Sequence, residues 1–346
     1  MSNDHLDTSM LAPPADPEAA DAGSAGMPPV LRLLASGTVV AGPELAHRLG
    51  ISRAAVWKQI EALRRNGLEI VSDAHGYQLP RPLDLLDVEQ VRRGVRSALR
   101  RRLGSIENHW RLDSTSSEVA RRATRLPDLS FLFADWQEAG RGRRGRRWLS
   151  PPARNLQFSC LKRFAGGYAA LSGLSLAVGL ATARALEDTG TAGVALKWPN
   201  DLMHGDAKLG GILVELGGEF MGPCHAVIGI GINVDLPKAL RRSLDRPCAD
   251  LAGLREGVAP SRNELAAALV GRLIEALDAF DASGFSACAA EWAERDALAG
   301  RRIRVEDPRG AFEGIAEGVD LRGALKVRTT AGVRAIDSGE ISVRRA

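Results

Sequence analysis

The chain has 346 residues, 45% of them hydrophobic and 25% charged, an ordinary globular composition that predicts two or three domains. Its net charge of +4 combines an acidic start, with no lysine or arginine in residues 1–31, and a net charge of +9 in the rest, which favours anionic partners. Four scattered cysteines predict reduced thiols and no zinc site. No signal-peptide pattern and no run of 18 apolar residues is found, so we expect a soluble, cytoplasmic protein with no membrane partner.

The first part of the chain predicts a tail followed by three short helices. Residues 1–27 are rich in Ala, Pro, Asp and Gly and have no apolar period, which predicts disorder. Apolar residues then recur at helical spacing over 30–35, 43–49 and 52–65. Gly50 can make the left-handed turn before the third helix, and Ser52 can cap that helix through its hydroxyl. Residues 68–72 and 77–79 predict two strands around a turn.

This order is typical of a winged helix-turn-helix, predicted here over residues 28–80. In the third helix Val56, Ile60 and Leu63 face inward. The polar positions of the same helix and its start are the candidate DNA contacts, namely Ser52, Arg53, Trp57, Lys58 and Arg64. A helical docking module that never contacts DNA is the alternative.

Pro80 and Pro82 mark a boundary, after which strand and helix patterns mix through a predicted α+β domain over residues 81–300. Residues 83–103 predict one helix whose six arginines between 92 and 102 are typical of a solvated face. Strands are predicted at 108–112, 131–137, 157–162, 194–198, 209–216 and 226–234, and helices after Ser114, from Leu171, from Ser261 to Phe280 and near Glu291. From residue 301 the period falls to two, and four strands predict a small β-barrel over 301–346.

Residues 139–148 form a loop in which three glycines alternate with arginines before Trp148. Glycine lets backbone N–H groups approach an anion, and arginine adds planar charged forks that suit carboxylate or phosphate. A solvated basic linker or a nucleic-acid patch would have similar composition. The loop alone therefore favours an anion site without deciding its ligand.

Two lysines near strand ends change that balance. Lys197 ends an apolar strand that Pro199 stops, and Lys208 begins a strand in which Gly210 and Gly211 permit close approach of a ligand. Residues 227–234 are a buried strand whose glycines remove side-chain bulk. Separately each lysine is a surface candidate, but together with the arginine loop they predict a site for a negatively charged reaction centre.

Taken in order, these motifs resemble those of the biotin protein ligases. The matching segments are Asp113-Ser-Thr-Ser116, Gln137 followed by Gly140-Arg-Gly-Arg-Arg-Gly-Arg-Arg-Trp148, Lys197-Trp-Pro-Asn-Asp201, Lys208-Leu-Gly-Gly-Ile-Leu-Val-Glu215 and Gly229-Ile-Gly-Ile-Asn233. With a helix-turn-helix before them and a small barrel after them, the chain resembles the bifunctional bacterial form, a ligase that also represses the biotin operon. The resemblance implies an α+β multidomain fold: winged helix, class II synthetase-like catalytic domain and SH3-like barrel.

The resemblance also implies a two-step reaction. Biotin and ATP, with Mg²⁺, give biotinyl-5′-adenylate and pyrophosphate, and a lysine of the biotin carboxyl carrier protein then attacks the mixed anhydride. The implied partners are that carrier protein, biotin operator DNA and a second copy of the chain, because two half-sites require two recognition helices. Biotinyl-5′-adenylate is the implied corepressor, and no tightly bound prosthetic group is expected.

The family's residue roles carry over by motif position. The catalytic candidates are Arg143, Lys197 and Lys208. The biotin candidates are Ser114, Thr115, Ser116, Gln137, Arg141, Gly142, Arg143 and Lys208. The nucleotide candidates are Arg146, Trp148, Lys197, Asn200, Asn233 and Arg344, and Asp201 is the Mg²⁺ candidate. Trp148 is expected to pack on adenine, and Lys208 is expected to keep a pKa near the reference value of about 10.4.

One residue departs from the family pattern, since Ser116 stands where an asparagine is usual. The shorter donor puts the contact geometry in doubt but not the activity. Two alternatives stay open at this point. A lipoate ligase also activates an acid by adenylation, although it generally lacks a DNA-binding domain and this arginine loop. A non-catalytic regulator that only senses biotin is disfavoured because both lysine motifs and the arginine loop are intact.

Overall fold

The computed structural model describes residues 26–244, 246–307, 310–337 and 342–345. Almost all of the predicted tail lies outside these residues. Of its last two residues, Met27 is buried in the first domain. Within the described part of the chain, no helix has the length and apolarity needed to cross a bilayer.

The first domain is a winged helix-turn-helix. Its elements are α1 (Pro29–Leu34), α2 (Gly42–Leu49), α3 (Arg53–Arg65) and the hairpin of β1 (Val71–Ser72) and β2 (Tyr77–Gln78). Gly50 adopts the left-handed conformation, with φ 62°, and Ser52 Oγ accepts from the Ala55 N–H at 3.1 Å, so the predicted turn and cap are both confirmed. Val56, Ile60 and Leu63 are buried as predicted. The wing strands are shorter than the sequence pattern suggested.

The second domain is built on a seven-stranded mixed sheet with strand order β3-β4-β5-β9-β8-β7-β6, in which only the β3–β4 pair of the described strands is parallel. The strands are β3 (Ile106–Leu112), β4 (Ser130–Gln137), β5 (Asn155–Phe164), β6 (Val194–Lys197), β7 (Asp201–His204), β8 (Ala207–Gly218) and β9 (Cys224–Asn233). The helices are α4 (Val88–Gly94), α5 (Ser97–Arg100), α6 (Thr115–Arg121), α7 (Leu174–Asp188), α8 (Lys238–Arg242), α9 (Leu251–Leu254), α10 (Arg262–Ser283) and α11 (Ala289–Glu294).

Both faces of this sheet are covered. Phe158 and Cys160 of β5 belong to the large core that also contains α7 and α10, while Leu161 packs with Val119 of α6 in a smaller cluster. Strand β5 is therefore buried on both sides, which explains its nearly continuous burial. The α6 face also carries the arginine loop and the candidate site.

The predicted single helix over residues 83–103 is wrong. Asp87 caps α4 by accepting from the N–H groups of Glu89 and Gln90, and the chain turns extended at Val95 before α5 begins. Arg93 and Arg100 donate to carbonyls within the segment, and Arg102 makes two hydrogen bonds to Asp278 of α10 at 2.7 and 2.8 Å. Five of the six arginines are exposed, as expected for a solvated face.

The third domain is a five-stranded antiparallel sheet, which confirms a small β domain at the end of the chain. Its strands are β10 (Arg302–Asp307), β11 (Gly310–Val319), β12 (Leu325–Thr329), β13 (Gly332–Ile336) and β14 (Ser342–Arg345), in the order β13-β12-β11-β10-β14. The sequence pattern indicated four strands, and strand β13 was not among them. The turn before β12 docks on the second domain, where Trp198 Nε1 donates to the Gly323 carbonyl at 3.0 Å.

The first domain is also fastened to the second. Trp110 of β3 and Ala153 are buried in the winged-helix core. Beyond the wing, Arg81 and Arg154 both reach Asp235, with Nη1 to carboxylate distances of 2.7 and 2.9 Å. The first and third domains therefore each contact the second domain, the first through Trp110 and Asp235 and the third through Trp198.

Candidate active site

The floor of the site is one lateral row of residues across five strands. Strand pairing sets Lys197 beside Asp201, Asp201 beside Gly211, Gly211 beside Gly231, and Gly231 beside Gln157. Because neighbouring strands lie about 4.8 Å apart, Asp201 and Gln157 are separated by about 14 Å. The two glycines between them make this stretch flat. The row can therefore support an elongated ligand with a charged region at one end and a polar region at the other.

The polar end is built by the start of α6. Thr115 N and Oγ1 both donate to Gln137 Oε1, at 2.7 and 3.2 Å. The hydroxyls of Thr115 and Ser116 lie 2.8 and 3.0 Å from Ser159 Oγ. All four side chains are buried. The sequence-predicted residues Thr115, Ser116 and Gln137 thus come together in one hydrogen-bonded cluster, and Ser114, whose hydroxyl caps α6, lines the cavity beside them.

Two features hold α6 in place at this end. The Arg121 guanidinium beside Asp113 lowers the pKa of that carboxyl to about 2, so it is ionised at neutral pH. Asp113 Oδ1 also accepts from the Ser114 N–H at 2.7 Å. At Gly229 an added Cβ would lie 2.6 Å from Ser116 Oγ, so glycine is needed there for the helix start to approach the sheet.

The arginine loop lies over this floor. Arg141 makes two contacts to Glu215 of β8, at 2.7 and 3.1 Å, and a short backbone bridge joins Arg141 to Arg147. The left-handed backbone positions fall at Arg144 and Gly145, with φ 58° and 68°. Gly140 serves close approach, because an added Cβ would lie 2.6 Å from the Trp148 carbonyl oxygen. The loop is thus a folded structure anchored to the sheet.

Trp148 rests directly on the glycine floor. An added Cβ at Gly231 would lie 2.5 Å from Cε2 of the indole ring, and Nε1 is buried without a hydrogen-bond partner in the described structure. With the loop and this ring in place, the cavity over the floor is partly open to solvent and has a volume of about 50 Å³. A typical ligand pocket needs about 300 Å³ or more. The loop and the indole must therefore move when a ligand enters.

Lys208 places its ammonium against the glycines of the floor. Its ammonium is bonded to Asp201 Oδ1, and a Cβ at Gly211 would lie 3.1 Å from Nζ. Burial lowers the pKa of Lys208, although the charge of Asp201 opposes this and the charges of Arg246 and Arg146 add to it. The expected pKa near the reference value is therefore wrong, because sequence alone does not reveal that the ammonium is buried. Burial likewise lowers the pKa of Arg143, whose charge also interacts with Asp201.

Four other nucleotide candidates lie around Lys208 with varied roles. Asn200 Nδ2 donates to the Ile212 carbonyl at 2.6 Å, and Asn233 Nδ2 donates to Ala249 O at 3.0 Å and Lys208 O at 3.4 Å. Both amides therefore hold backbone beside the site. Arg146 is exposed on the loop, and Lys197 is beside Asp201 at the sheet edge. The side chain of Arg344 lies outside the described part of the structure.

Three residues that sequence reasoning missed belong to this site: Gln157, Ser159 and Glu215. Ser159 joins Thr115 to Ser116, Glu215 holds Arg141, and Gln157 lines the cavity. The available signal for Gln157 and Ser159 was the polar residue at every second position from Asn155 to Ser159, between apolar neighbours. Glu215 carried none, because its partner is 74 residues away in the chain.

The candidate DNA surface is the exposed side of α3. Arg53, Trp57 and Lys58 are exposed, and Trp57 exposes 53% of its surface. Arg64 differs from them, since its guanidinium donates to Ile70 O at 2.8 Å and to Ser72 Oγ at 3.0 Å. The structure thus gives Arg64 a role in holding the wing against the helix.

Comparison with known proteins agrees with this organisation. Residues 110–233 match the Biotin/lipoate A/B protein ligase family, residues 30–78 match an HTH domain, and residues 299–344 match the Biotin protein ligase C terminal domain. The chain is 36% identical to the bifunctional ligase/repressor BirA of Salmonella typhimurium and 35% identical to that of Escherichia coli. Each match covers 92% of this chain and 97% of the relative. The chain belongs to the biotin protein ligase family.

A solved structure supports the same assignment of the catalytic fold. The biotin protein ligase of Aquifex aeolicus, in complex with biotin and ATP, has a TM-score of 0.60 and 27% identity, over 70% of this chain and 99% of that chain. The biotin–[acetyl-CoA-carboxylase] ligase of Paracoccus denitrificans is 33% identical over 67% of this chain and 97% of its own length. Relatives of this ligase family therefore occur both with the full three-domain length and with a shorter chain.

Proposed function

We propose that the protein activates biotin with ATP and transfers it to a lysine of a biotin carboxyl carrier protein. The observation that carries this proposal is the glycine floor, which joins a polar end at Thr115, Ser116 and Gln137 to a charged end at Lys208 and Asp201. The polar end suits the ureido group of biotin. The valeryl chain would lie along the glycines, which brings its carboxylate to Lys208.

In the first step a biotin carboxylate oxygen attacks the α-phosphorus of ATP. A new P–O bond forms, the bond to the bridging oxygen breaks, and pyrophosphate leaves. Two anions must meet for this to happen, so the ammonium of Lys208 and the guanidinium of Arg143 stabilise the charge that builds at the α-phosphate. Lys197 and Arg146 are placed to add positive charge on the nucleotide side. The arginine loop holds the reactants together and keeps water from the mixed anhydride.

Magnesium enters as part of the ATP substrate complex. Mg²⁺ is typically held by one or two carboxylates together with substrate phosphates. Asp201 offers one such carboxylate at the charged end, and the described residues contain no group of three or more potential metal ligands. These residues fit a Mg²⁺ ion that arrives bound to the phosphates of ATP and gains one carboxylate ligand from the protein. It would neutralise phosphate charge beside Lys208.

In the second step the carrier lysine, as a free amine, attacks the acyl carbon, an amide bond forms and AMP leaves. The loop must let that lysine in while it retains the adenylate. We expect Arg143→Gly to loosen this closure, so that released adenylate labels other lysines. Labelling that stays confined to the carrier domain would contradict a retention role for Arg143.

The test of the ligase reaction is transfer of radiolabelled biotin to a carrier domain, with and without ATP, together with biotin-dependent pyrophosphate exchange. We expect both activities with biotin and neither with lipoate. Lipoate has no N–H donor in its ring and cannot satisfy the buried polar end, which leaves those groups unpaired. Exchange that depends on lipoate but not on biotin would overturn the proposal.

We further propose that the protein is a cytoplasmic homodimer that represses biotin synthesis genes, with biotinyl-5′-adenylate as corepressor. The winged helix and its exposed Trp57 and Lys58 support DNA binding. At the tip between β8 and β9, Phe220 and Met221 expose 59% and 80% of their surface, which supports association of two copies there. Ligand that orders the loop would then favour the dimer.

The repressor proposal is tested by binding to the upstream region of biotin synthesis genes, with and without biotin plus ATP. We expect ligand to tighten binding and Lys58→Ala to lower the salt slope by about one unit. Met221→Asp should weaken dimerisation in sedimentation without abolishing adenylation. DNA affinity that ignores ligand, or that persists in a chain beginning at residue 83, would refute the repressor half alone.

A further inference from the structure

Gln157 combines burial with an incomplete set of hydrogen bonds. It lies in the middle of β5, is 1% exposed and lines the cavity beneath the arginine loop. Strand alternation puts its side chain on the same face as Ser159, whose hydroxyl belongs to the polar end. Its cross-strand neighbour is Gly231, so no side chain from that position fills the space beside it.

The orientation of its amide is fixed by the neighbouring groups. Gln157 Nε2 donates to the Ala134 carbonyl at 3.0 Å and to Ser150 Oγ at 2.5 Å. A carbonyl oxygen can only accept, so the amide cannot be turned around without losing that bond. Ser150 Oγ also accepts from the Gln137 N–H at 2.9 Å, which joins Gln157 to the polar end. Oε1 therefore faces away from these partners.

That oxygen has no hydrogen-bond partner within the described residues. A buried acceptor left in this state is unfavourable, so native proteins usually satisfy it with protein, water or ligand. The ligand that lies here must then offer a donor. On biotin only the two ureido N–H groups are donors once the carboxyl is ionised. The ribose and adenine donors of the adenylate belong at the charged end, about 14 Å away across the strand row.

We propose that Gln157 Oε1 accepts a hydrogen bond from one ureido N–H of bound biotin and thereby selects ureido-bearing acids. This inference rests on the proposed function and adds a specificity residue to it. Thr115, Ser116 and Ser159 supply hydroxyls to the rest of the ureido group, and Gln157 supplies a fixed acceptor at its second edge. The site then distinguishes biotin from acids of similar length that lack the donor.

The experiment compares biotin with two lactam analogues, each with one ureido N–H replaced by CH₂, in biotin-dependent pyrophosphate exchange. The wild-type protein should prefer biotin over one of the two analogues by about tenfold or more in kcat/KM. In Gln157→Met, which keeps side-chain length but has no comparable acceptor, that preference should fall to within about twofold. The preference over the other analogue should not change.

Asn155 provides the matched control on the same strand face. Its side chain is fully buried, and its Nδ2 donates to the Leu149 carbonyl at 3.0 Å. Like Gln157 Oε1, its Oδ1 has no hydrogen-bond partner among the described residues. Unlike Gln157, Asn155 does not line the cavity. Asn155→Leu should leave the preference for biotin over both analogues at the wild-type level. If Gln157→Met does not fold, Gln157→Asn withdraws the acceptor by one methylene and should reduce the same preference.

The outcomes separate this inference from the proposed function. If the wild type and the Gln157 variants prefer biotin over both analogues to the same extent, the proposed hydrogen bond is refuted, even though biotin is still activated. A preference that Asn155→Leu also abolishes overturns it too, because the effect would then come from the strand as a whole. Failure of the wild-type protein to activate biotin would instead refute the ligase proposal.

Discussion

Replacing Lys208 by Gln tests the centre of the proposed mechanism. The ammonium is mostly buried, with 12% of the side chain exposed, and it is bonded to Asp201 beside the glycine floor. Glutamine keeps most of the length and polarity but removes the charge. We expect Lys208→Gln to fold normally and to form biotinyl-adenylate far more slowly, because no other buried ammonium in the described structure lies at this floor.

The expected loss follows from the geometry. Two opposite unit charges about 4 Å apart attract by about 4 kcal/mol at an effective dielectric constant of about 20. Loss of one preorganised donor to a developing anion slows reactions by about 10²- to 10³-fold. We therefore expect kcat/KM for adenylation to fall by about 10²- to 10³-fold.

The assay is single-turnover formation of biotinyl-adenylate, followed by chromatography. Lys162→Gln is the matched control, since Lys162 is another buried lysine paired with carboxylates, Asp128 at 3.4 Å and Asp281 at 3.2 Å. It belongs to β5 but does not line the cavity. This control should lose stability and keep its adenylation rate. Adenylate formation at the normal rate by Lys208→Gln would refute the role assigned to Lys208.

Further predictions address pH, packing and domain coupling. Because burial lowers the pKa of Lys208 from its ordinary value of 10.5, the ammonium loses its proton at a lower pH than a free lysine does as the pH is raised. We therefore expect kcat/KM for adenylation to fall on the alkaline side before pH 10.5, and we expect this fall to be absent in an active Lys208→Arg variant. Gly231→Ala puts a methyl on the glycine floor, 2.5 Å from the Trp148 ring, and should weaken biotin binding by about tenfold or more in calorimetry. Asp235→Asn removes the partner of Arg81 and Arg154, and should cost about 1–2 kcal/mol in urea unfolding and reduce the effect of ligand on DNA affinity. Unchanged unfolding and unchanged coupling would contradict the last prediction.

The sequence predicted what local chemistry determines. The turn at Gly50, the cap at Ser52 and the start of a helix at Ser261, whose Oγ accepts from the Glu264 N–H at 3.4 Å, all depend on a few adjacent residues and are confirmed. The family motifs also predicted that Thr115 and Gln137 would meet, and they do.

What the sequence could not reveal depends on distant contacts. Strand β7, which carries Asp201, was missed. The pKa of Lys208 depends on burial by segments far along the chain, and its backbone is paired with Pro247 and Ala249. In the sequence Gln157 is one polar position in a strand. Its amide oxygen is left without a partner because the folded chain brings Ala134 and Ser150 to the amide nitrogen, and the sequence does not show those contacts.

The end of β9 links the two proposed activities. Asn233 Nδ2 donates to the Lys208 carbonyl at the charged end of the site. Asp235, two residues later, accepts from Arg81 at the start of the linker from the winged helix. The Asp235 N–H also donates to the Arg154 carbonyl at 2.9 Å, which fixes this turn to the second domain. A shift at Asn233 would therefore reach the start of the winged-helix linker through two residues of backbone and the ion pair between Asp235 and Arg81. If this path carries the coupling, Asp235→Asn should reduce the ligand dependence of DNA binding more than it reduces adenylation.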